Sequence, residues 1–218
     1  MLTIYGVYRS RATRTIWLAS ELGIPFTVVP VIQAYRLINR APGLPPLNTR
    51  SPEFLRINPL GQIPAIEDDG LVMTESLAIN LYLARKYGGP LAPATVQEEG
   101  EMLRWSFWAL AEIEAPALAI LYNRVAKPED ERDAAVADNA EVLLRDKFPV
   151  LDAALARTGW LVGGRFTVAD INMAEVVRYA LPAPDLFARN PHVKAWLEAC
   201  QARPAFKAMW AAREAEPA

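Results

Sequence analysis

The sequence predicts an α/β domain followed by an all-helical domain. Short apolar runs alternate with helical patterns before about residue 88, and almost every later segment has a helical pattern. Between the two parts, Lys86 to Pro93 holds two Gly and two Pro in eight residues, a composition that ends a helix and forms a linker. We therefore place the first domain at 1–85, the linker at 86–95 and the helical domain at 96–218.

The first part predicts the element order β-α-β-α-β-β-α. Its first helix should end at Gly23, because Gly is typical just after a helix and Pro25 cannot continue one. Asp69-Gly70 lies between two apolar runs and indicates a hairpin. The predicted elements are strand 2–5, helix 13–22, strand 26–31, an irregular loop over 32–50, a short helix from Pro52 with Ser51 as its cap, strands 64–66 and 71–73, and helix 76–87. Within strand 26–31, Pro30 favours an edge position or an early end.

The second part predicts helices throughout. Thr167 and Asp170 have the spacing of a capping box, with Asp in place of the usual Glu or Gln, and apolar residues follow them, so this helix should be buried. Prolines should bend or interrupt the other helices. These are a helix over 96–123 with a kink at Pro116, a helix over 129–157 with a bend at Pro149, and a last stretch carrying Val193 to Trp210 with an interruption at Pro204.

Composition excludes several kinds of chemistry. The 218 residues hold 23 Lys and Arg against 25 Asp and Glu, a net charge of −2, so no strong field favours nucleic acid or an anionic membrane. Cys200 and His192 are the only residues of their types, which rules out a four-ligand cysteine and histidine zinc site within one chain. We expect no metal, no membrane span, and a reducing, cytoplasmic location.

Three motifs lie in the first 85 residues. Ser10 follows a strand end and precedes a helix, where a hydroxyl can donate to an anion within the positive potential of free helix N–H groups. Pro64 begins a strand, and Glu75 and Ser76 begin a helix that could hold an ammonium and a carboxylate. Taken singly, a cap serine, an ordinary edge-strand proline and a helix-start acid explain these residues equally well.

At these motifs and at the Thr167 capping box, the chain resembles the cytosolic glutathione S-transferase family, and the resemblance covers nearly the whole chain. Its most specific part is Asn58-Pro59-x-Gly61-Gln62-x-Pro64, followed by Glu75-Ser76 about ten residues later. The chain is most similar to serine-type, bacterial-like members, with zeta-like features at Arg9-Ser10. The zeta pattern Ser-Ser-Cys is absent, because Arg11 and Ala12 follow Ser10.

The resemblance implies a thioredoxin-like first domain, a helical second domain, a homodimer, and conjugation of glutathione to a hydrophobic electrophile, as in detoxification. Ser10 would be the catalytic hydroxyl, with Tyr5, Tyr8 and Thr13 as rivals. The Ile63–Pro64 bond would be cis, so that the Ile63 backbone pairs with the extended peptide of glutathione. The implied glutathione-binding residues are Ser10, Gln62, Ile63, Pro64, Glu75 and Ser76.

Several assignments stay open. The glycine end of glutathione needs a donor, and the candidates are Arg36, Arg40, Asn48 and Arg50. Candidates for the site of the electrophile are Tyr8, Arg11, Trp105, Trp108 and Tyr122. Helix packing or a dimer contact explains the two tryptophans equally well. The alternative functions are a glutathione-dependent isomerase or dehalogenase, and a non-catalytic glutathione or ligand-binding module.

Overall fold

The computed structural model describes residues 1–37 and 47–216. They form two compact units, one made of Met1–Tyr87 with the segment from Pro204 onward, the other of Gly88–Arg203. The predicted helical domain over 96–218 includes the segment from Pro204, whereas the structure groups this segment with the α/β unit. No described helix has both the length and the apolar character needed to cross a membrane.

The α/β unit is built on a four-stranded mixed sheet. Its strands are β1 (Leu2–Tyr5), β2 (Phe26–Val29), β5 (Ala65–Asp68) and β6 (Leu71–Thr74), in the spatial order β2-β1-β5-β6. β1 runs parallel to β2 and antiparallel to β5, and β5 runs antiparallel to β6. The predicted thioredoxin-like arrangement is confirmed.

The predicted strand over 26–31 is interrupted in the structure. Pro30 has no N–H to donate, and β2 ends before it at Val29. The chain then forms a separate strand, β3 (Val31–Ile32), which pairs in parallel with β4 (Leu47–Asn48). A 3-10 helix at Ala34–Leu37 follows β3, within the predicted irregular loop.

Three helices of the α/β unit match the predicted ones closely: α1 (Ala12–Leu22), α2 (Pro52–Ile57) and α3 (Ser76–Tyr87). α1 ends at Gly23, which has the left-handed φ of 65°. The predicted cap of α2 is wrong in one respect. The Ser51 hydroxyl accepts from the Asn48 backbone N–H at 2.9 Å and makes no capping bond to its own helix.

One further helix completes this unit, α11 (Pro204–Ala215). The rings of Trp17 on α1 and Phe206 on α11 meet edge to face, with centroids 4.9 Å apart, and Trp17 is fully buried. The burial of these two large aromatic side chains against each other stabilises the packing of α11 on α1, whereas exposed rings would contribute nothing to it. This contact explains why the segment from Pro204 belongs to the α/β unit.

The second unit is helical, as predicted. The stretch from residue 96 is one continuous helix, with π-helical turns at Ala109–Glu114 before Pro116 and again at Tyr122–Ala126. The predicted helix over 129–157 is wrong in extent, because the structure divides it near residue 145. The helices are α4 (Val96–Trp108), α5 (Ala115–Leu121), α6 (Ala134–Leu144), α7 (Phe148–Leu155), α8 (Val168–Val177), α9 (Pro184–Arg189) and α10 (Pro191–Gln201).

The capping box at the start of α8 is confirmed. The fully buried Asp170 carboxylate accepts from the backbone N–H groups of Thr167 and Leu161 and from the Trp196 indole, at 2.9, 3.1 and 2.9 Å. Burial raises the pKa of the Asp170 carboxyl to about 6, although the hydrogen bonds act in the opposite direction. One side chain therefore joins α8 to α10 and to the turn before α8.

Arg165 holds the start of the helical unit. Its guanidinium donates to both carboxylate oxygens of Glu98 on α4, at 3.0 and 2.6 Å, and to the backbone carbonyls of Pro90 and Ala92, each at 3.0 Å. Arg165 and a backbone N–H at Ala94 lower the pKa of the Glu98 carboxyl to about 2. The segment that precedes α4 is thus fastened by a charged pair.

We expect Glu98→Gln to lower the free energy of unfolding by about 1 kcal/mol at neutral pH, since a bidentate but partly exposed pair is lost. The pKa of Glu98 in the folded state lies below its value near 4.5 in the unfolded chain. The stabilisation is therefore fully present above about pH 4.5 and is lost as the pH falls through about 2. Urea unfolding should show a smaller difference between variant and wild type at pH ~3 than at pH ~7.

The matched control is Glu101→Gln, which breaks the half-exposed pair with Arg104 on the same helix. We expect it to cost less than about 0.5 kcal/mol. Equal effects of the two variants at both pH values would contradict the role given to Glu98.

Candidate active site

The register of the sheet brings the three sequence motifs to one edge, by which we mean the end of the sheet where β1 and β6 finish and β5 begins. Tyr5 at the end of β1 pairs with Ala65 at the start of β5, and Ala65 pairs with Thr74 at the end of β6. The next residue beyond each of these positions belongs to one of the motifs. The loop that leads to Ser10, the proline Pro64 and the helix start at Glu75 therefore leave the sheet side by side.

Ser10 lies in the turn between β1 and α1 and is half-buried. Its hydroxyl donates to the Val7 carbonyl at 2.6 Å and accepts from the Ala12 backbone N–H, the first of α1, at 3.0 Å. The oxygen thus satisfies one of the free N–H groups of the helix. Its single proton is directed at a neutral carbonyl, which a charged acceptor could replace.

Among the rival hydroxyls, those of Tyr5 and Thr13 already donate hydrogen bonds, and that of Tyr8 has a raised pKa. The Tyr5 hydroxyl donates to the Glu67 carboxylate at 3.3 Å, and its ring packs on Phe54. Thr13 is buried, and its hydroxyl donates to the Ser10 carbonyl at 3.0 Å. Burial, and then the charge of Glu216, raise the pKa of the Tyr8 phenol, which keeps it protonated. Ser10 differs from these rivals because its hydroxyl oxygen accepts from the first backbone N–H of α1.

The turn before Pro64 is braced by its own side chains. Asn58 donates to the Gln62 carbonyl at 2.8 Å and accepts from the Leu60 backbone N–H at 3.1 Å. Gly61 has a φ of 61°, and a Cβ there would lie 2.5 Å from the Thr49 carbonyl oxygen. Only Gly fits such a close approach, which explains its place in the motif.

The Ile63–Pro64 bond is cis, as expected. Ile63 lies between the turn and β5 and is half-buried. Within residues 1–37 and 47–216, no backbone hydrogen bond to Ile63 is formed in a sheet or a turn. Its N–H and C=O can therefore pair with an extended peptide placed alongside.

Glu75 and Ser76 form the start of α3. Glu75 is exposed and has a φ of 67°, a left-handed conformation that is uncommon for residues other than Gly. Ser76 is buried, and its hydroxyl accepts from the Arg14 guanidinium at 3.1 Å. A carboxylate at this helix start would meet the positive end of the helix, with a buried cation behind it.

Arg14 is a residue of this site that none of the sequence motifs indicated. It lies on α1, is only 1% exposed, and its backbone carbonyl accepts from the Asn80 amide of α3 at 3.2 Å. Arg14 thus joins α1 to the start of α3 behind Ser76. The available signal was a charged residue on the apolar face of α1, since buried arginines are rare unless they are paired.

The candidates for the glycine end lie in different settings. Arg36 donates to the Gln33 side chain at 3.3 Å, and Arg50 is exposed. The Asn48 side chain accepts from the Arg50 backbone N–H at 2.8 Å. Arg40 lies outside the described residues. Gln62, next to Ile63, is exposed.

The remaining aromatic candidates belong to the helical unit. Trp105 is buried there, and its ring meets that of Trp108 edge to face, with centroids 5.4 Å apart. Trp108 is half-buried and Tyr122 is exposed. In the α/β unit, Arg11 is exposed at the start of α1. Among the residues that the structure describes, no group of three or more His, Cys, Asp or Glu could hold a metal ion.

Comparisons with known proteins give one consistent result. Residues 8–86 match the model of the glutathione S-transferase N-terminal domain, and residues 113–204 match that of the glutathione S-transferase C-terminal domain. Glutathione S-transferase 3 of Zea mays is 35% identical over 94% of this chain and 91% of its own length.

Solved structures agree. The structure of glutathione S-transferase III in its apo form has a TM-score of 0.80 at 36% identity, covering 100% of this chain and 99% of its own. Glutathione S-transferase I from maize, solved with an atrazine–glutathione conjugate, has a TM-score of 0.83 at 27% identity, covering 99% of each chain.

The left-handed backbone at residue 75 generates a prediction. Both Glu75→Gly and Glu75→Ala remove the carboxylate, but only Ala keeps a Cβ. A left-handed residue with a Cβ costs about 1–2 kcal/mol, and Gly loses about 0.5–1 kcal/mol more chain entropy on folding. We expect the Gly variant to be more stable than the Ala variant by about 0.5–1 kcal/mol in urea unfolding. Equal stability would show that the backbone relaxes at this position.

Proposed function

The chain belongs to the glutathione S-transferase family, and from this premise we propose that it conjugates glutathione to hydrophobic electrophiles, with Ser10 stabilising the thiolate. The observation that carries the proposal is the convergence of Ser10, Ile63 and Glu75-Ser76 at one edge of the sheet, set by the pairing of Tyr5, Ala65 and Thr74. We assign the chain to the serine-type members of the family.

In the proposed binding mode, the γ-glutamyl group, the peptide backbone and the cysteine sulfur of glutathione each meet a group at this edge. The γ-glutamyl carboxylate would bind the N–H groups and hydroxyl at Ser76, and its ammonium would bind Glu75 and Gln62. The peptide backbone would pair with Ile63 next to Pro64, as an added strand. This leaves the cysteine sulfur beside Ser10. For the glycine carboxylate, the candidates are Asn48 and Arg50. They flank Thr49, whose carbonyl lies close to Gly61.

The free energy needed to ionise the bound glutathione thiol near neutral pH is modest. A free thiol has a pKa of about 8.5, so lowering it by about two units requires roughly 3 kcal/mol. A hydrogen bond to a charged acceptor contributes about 1.5–3 kcal/mol, but Ser10 must first give up its bond to Val7, worth about 0.5–1.5 kcal/mol. The net gain from Ser10 is then roughly 1–1.5 kcal/mol, about one pKa unit.

The rest of the free energy that lowers the thiol pKa must come from fixed dipoles and from nearby positive charge. The N-terminus of α1 contributes about 0.3–1 kcal/mol. The bond from the Ala12 N–H polarises the Ser10 hydroxyl and makes it a better donor. The exposed Arg11 adds positive charge next to Ser10. The hydroxyl stays protonated throughout and acts as a donor, while the thiolate carries out the attack on the electrophilic carbon.

The second substrate is an apolar electrophile in this proposal. The maize relative solved with an atrazine–glutathione conjugate supports an aromatic substrate class. The candidates for contact with it are Tyr8 and Arg11 in the α/β unit and, separately, Trp108 and Tyr122 in the helical unit, where buried Trp105 would act through Trp108. No observation favours the isomerase, dehalogenase or non-catalytic alternatives.

We also propose a homodimer in the cytoplasm. Val96, Leu103, Phe107 and Leu110 are exposed at spacings that place them along one side of α4 and the turn after it. An apolar stripe of this length is typical of a protein interface, and a second copy is the partner that the family premise favours. The single cysteine, Cys200, is buried and has no second cysteine in the chain with which to form a disulfide, which suits a reducing compartment.

We expect Ser10→Ala to retain glutathione binding, because the peptide and γ-glutamyl contacts remain. The pKa of the bound thiol should rise by about one unit, and turnover of a generic aromatic electrophile near pH 6.5 should fall about tenfold. The measurement is the ultraviolet absorbance of the bound thiolate across a pH series, together with kcat and KM. Ser20→Ala, an exposed serine on the same helix, serves as the control and should change neither quantity.

An unchanged thiol pKa in Ser10→Ala would remove Ser10 from this role and direct attention to Tyr8, Arg11 or Thr13. Absence of glutathione binding by the folded wild-type protein would overturn the transferase proposal itself.

Phe107 is 66% exposed, and we expect Phe107→Glu to convert the dimer to a monomer, because it places a charge in an apolar contact. Sedimentation velocity measures the change in mass. Val150→Glu, at an exposed apolar position on α7, is the control and should leave the mass unchanged. A monomeric wild-type protein would contradict the proposed dimer.

A further inference from the structure

In the loop before Ser10, side chains are the hydrogen-bond partners of the Tyr8 and Arg9 backbone. The backbone N–H groups of Tyr8 and Arg9 both donate to the Glu216 carboxylate, at 3.0 and 2.7 Å. The Tyr8 carbonyl accepts from Arg213 at 2.8 Å, and the Arg9 carbonyl accepts from Gln33 at 3.3 Å. All four backbone polar groups of these two residues are therefore bound by side chains, three of the four bonds coming from the end of α11.

The two N–H groups form an anion-binding pair. Successive backbone N–H groups in a turn make a concave donor site for an anion, and here the Glu216 carboxylate binds both with one oxygen each. Bonds of this kind are charge-assisted and stronger than bonds between neutral groups. The carboxylate thus restricts the backbone immediately before Ser10.

The Arg9 side chain closes the contact from the other direction. Its Nε donates to the Glu216 backbone carbonyl at 2.7 Å, and its terminal nitrogen donates to the Glu214 carbonyl at 3.4 Å. These are carbonyls at the C-terminal end of α11, which favours a cation. Arg9 and Arg213 also offset the negative charge of Glu216, which would otherwise oppose a thiolate close by.

The helix α11, which ends at Ala215 directly before Glu216, is itself held in place. Phe206 on α11 packs against Trp17 of α1, and Trp210 stacks on Phe206 with centroids 5.6 Å apart. α1 is also the helix that begins after Ser10. The end of α11 is therefore held relative to the start of α1, and a contact from Glu216 can set the path of the loop between β1 and α1.

We propose that Glu216, assisted by Arg213, is a positioning residue for catalysis: it binds the Tyr8 and Arg9 backbone and thereby holds the Ser10 hydroxyl where it can donate to the glutathione thiolate. The inference rests on the proposed role of Ser10. Among the described residues, the Ser10 hydroxyl bonds to the Val7 carbonyl and the Ala12 N–H, so the backbone path over residues 8 to 10 helps to place its oxygen. Without the carboxylate, the two N–H groups would bind water and the turn would sample other conformations.

The test compares Glu216→Ala and Glu216→Gln with wild type in the full-length protein bound to glutathione. We expect Glu216→Ala to raise the pKa of the bound thiol by about half to one unit and to lower kcat about three- to tenfold near pH 6.5, with KM for glutathione changed less than about twofold. Glu216→Gln should give an intermediate shift, because its one carbonyl oxygen can accept from one of the two N–H groups.

The matched control is Glu214→Ala. The Glu214 side chain accepts from the Trp210 indole at 3.0 Å, and only its backbone carbonyl contacts Arg9. This variant should leave the thiol pKa unchanged. Arg213→Gln provides a second test if Glu216→Ala folds poorly, and should shift the thiol pKa in the same direction by a smaller amount.

A double-mutant cycle with Ser10→Ala decides how Glu216 acts. If Glu216 works through Ser10, Glu216→Ala causes no further shift of the thiol pKa in the Ser10→Ala background. An equal shift in both backgrounds, or a loss of stability without any shift, would overturn this inference alone. An unchanged thiol pKa in Ser10→Ala by itself would instead overturn the role of Ser10, and the inference with it.

Discussion

The pairing of three strand ends is the constraint on which the site depends. Tyr5, Ala65 and Thr74 lie in one row across the sheet, and each precedes or follows a segment with a chemical role. The side-chain period of a strand is two, so a register shift of one residue would turn the buried Ile4 and Ile66 outward. Burial of the sheet's apolar face therefore also fixes which loops become neighbours.

Around this edge, side chains replace secondary structure as partners of the backbone. Asn58 bonds both ends of the turn before Pro64, and Glu216 binds the turn before Ser10. Arg14 joins the start of α3 to α1 from within the core. A buried or half-buried turn must satisfy its polar groups in this way, and the resulting bonds make the loops as well determined as the strands they connect.

The sequence predicted regular elements best where one strong local signal acted alone. Gly23 ends α1, and Thr167 with Asp170 begins α8, as expected. The predictions were less exact where two signals competed. The apolar pattern over 26–31 continues past Pro30 while the missing donor favours an early end, and the strand does end at Val29. The long pattern over 129–157 concealed a turn near residue 145, so that prediction was wrong in extent. Periodicity records which face is apolar but not where a helix is interrupted.

The sequence alone determined the order of the elements and the motifs around Ser10, Pro64 and Glu75. These motifs in turn indicated the family. These features are local, because caps, turns and short motifs depend on neighbours along the chain. The tertiary structure alone decided that α11 joins the α/β unit, that Arg14 supports Ser76, and that Glu216 binds the backbone before Ser10. These contacts join residues between 62 and 208 positions apart, and no local pattern encodes such a distance.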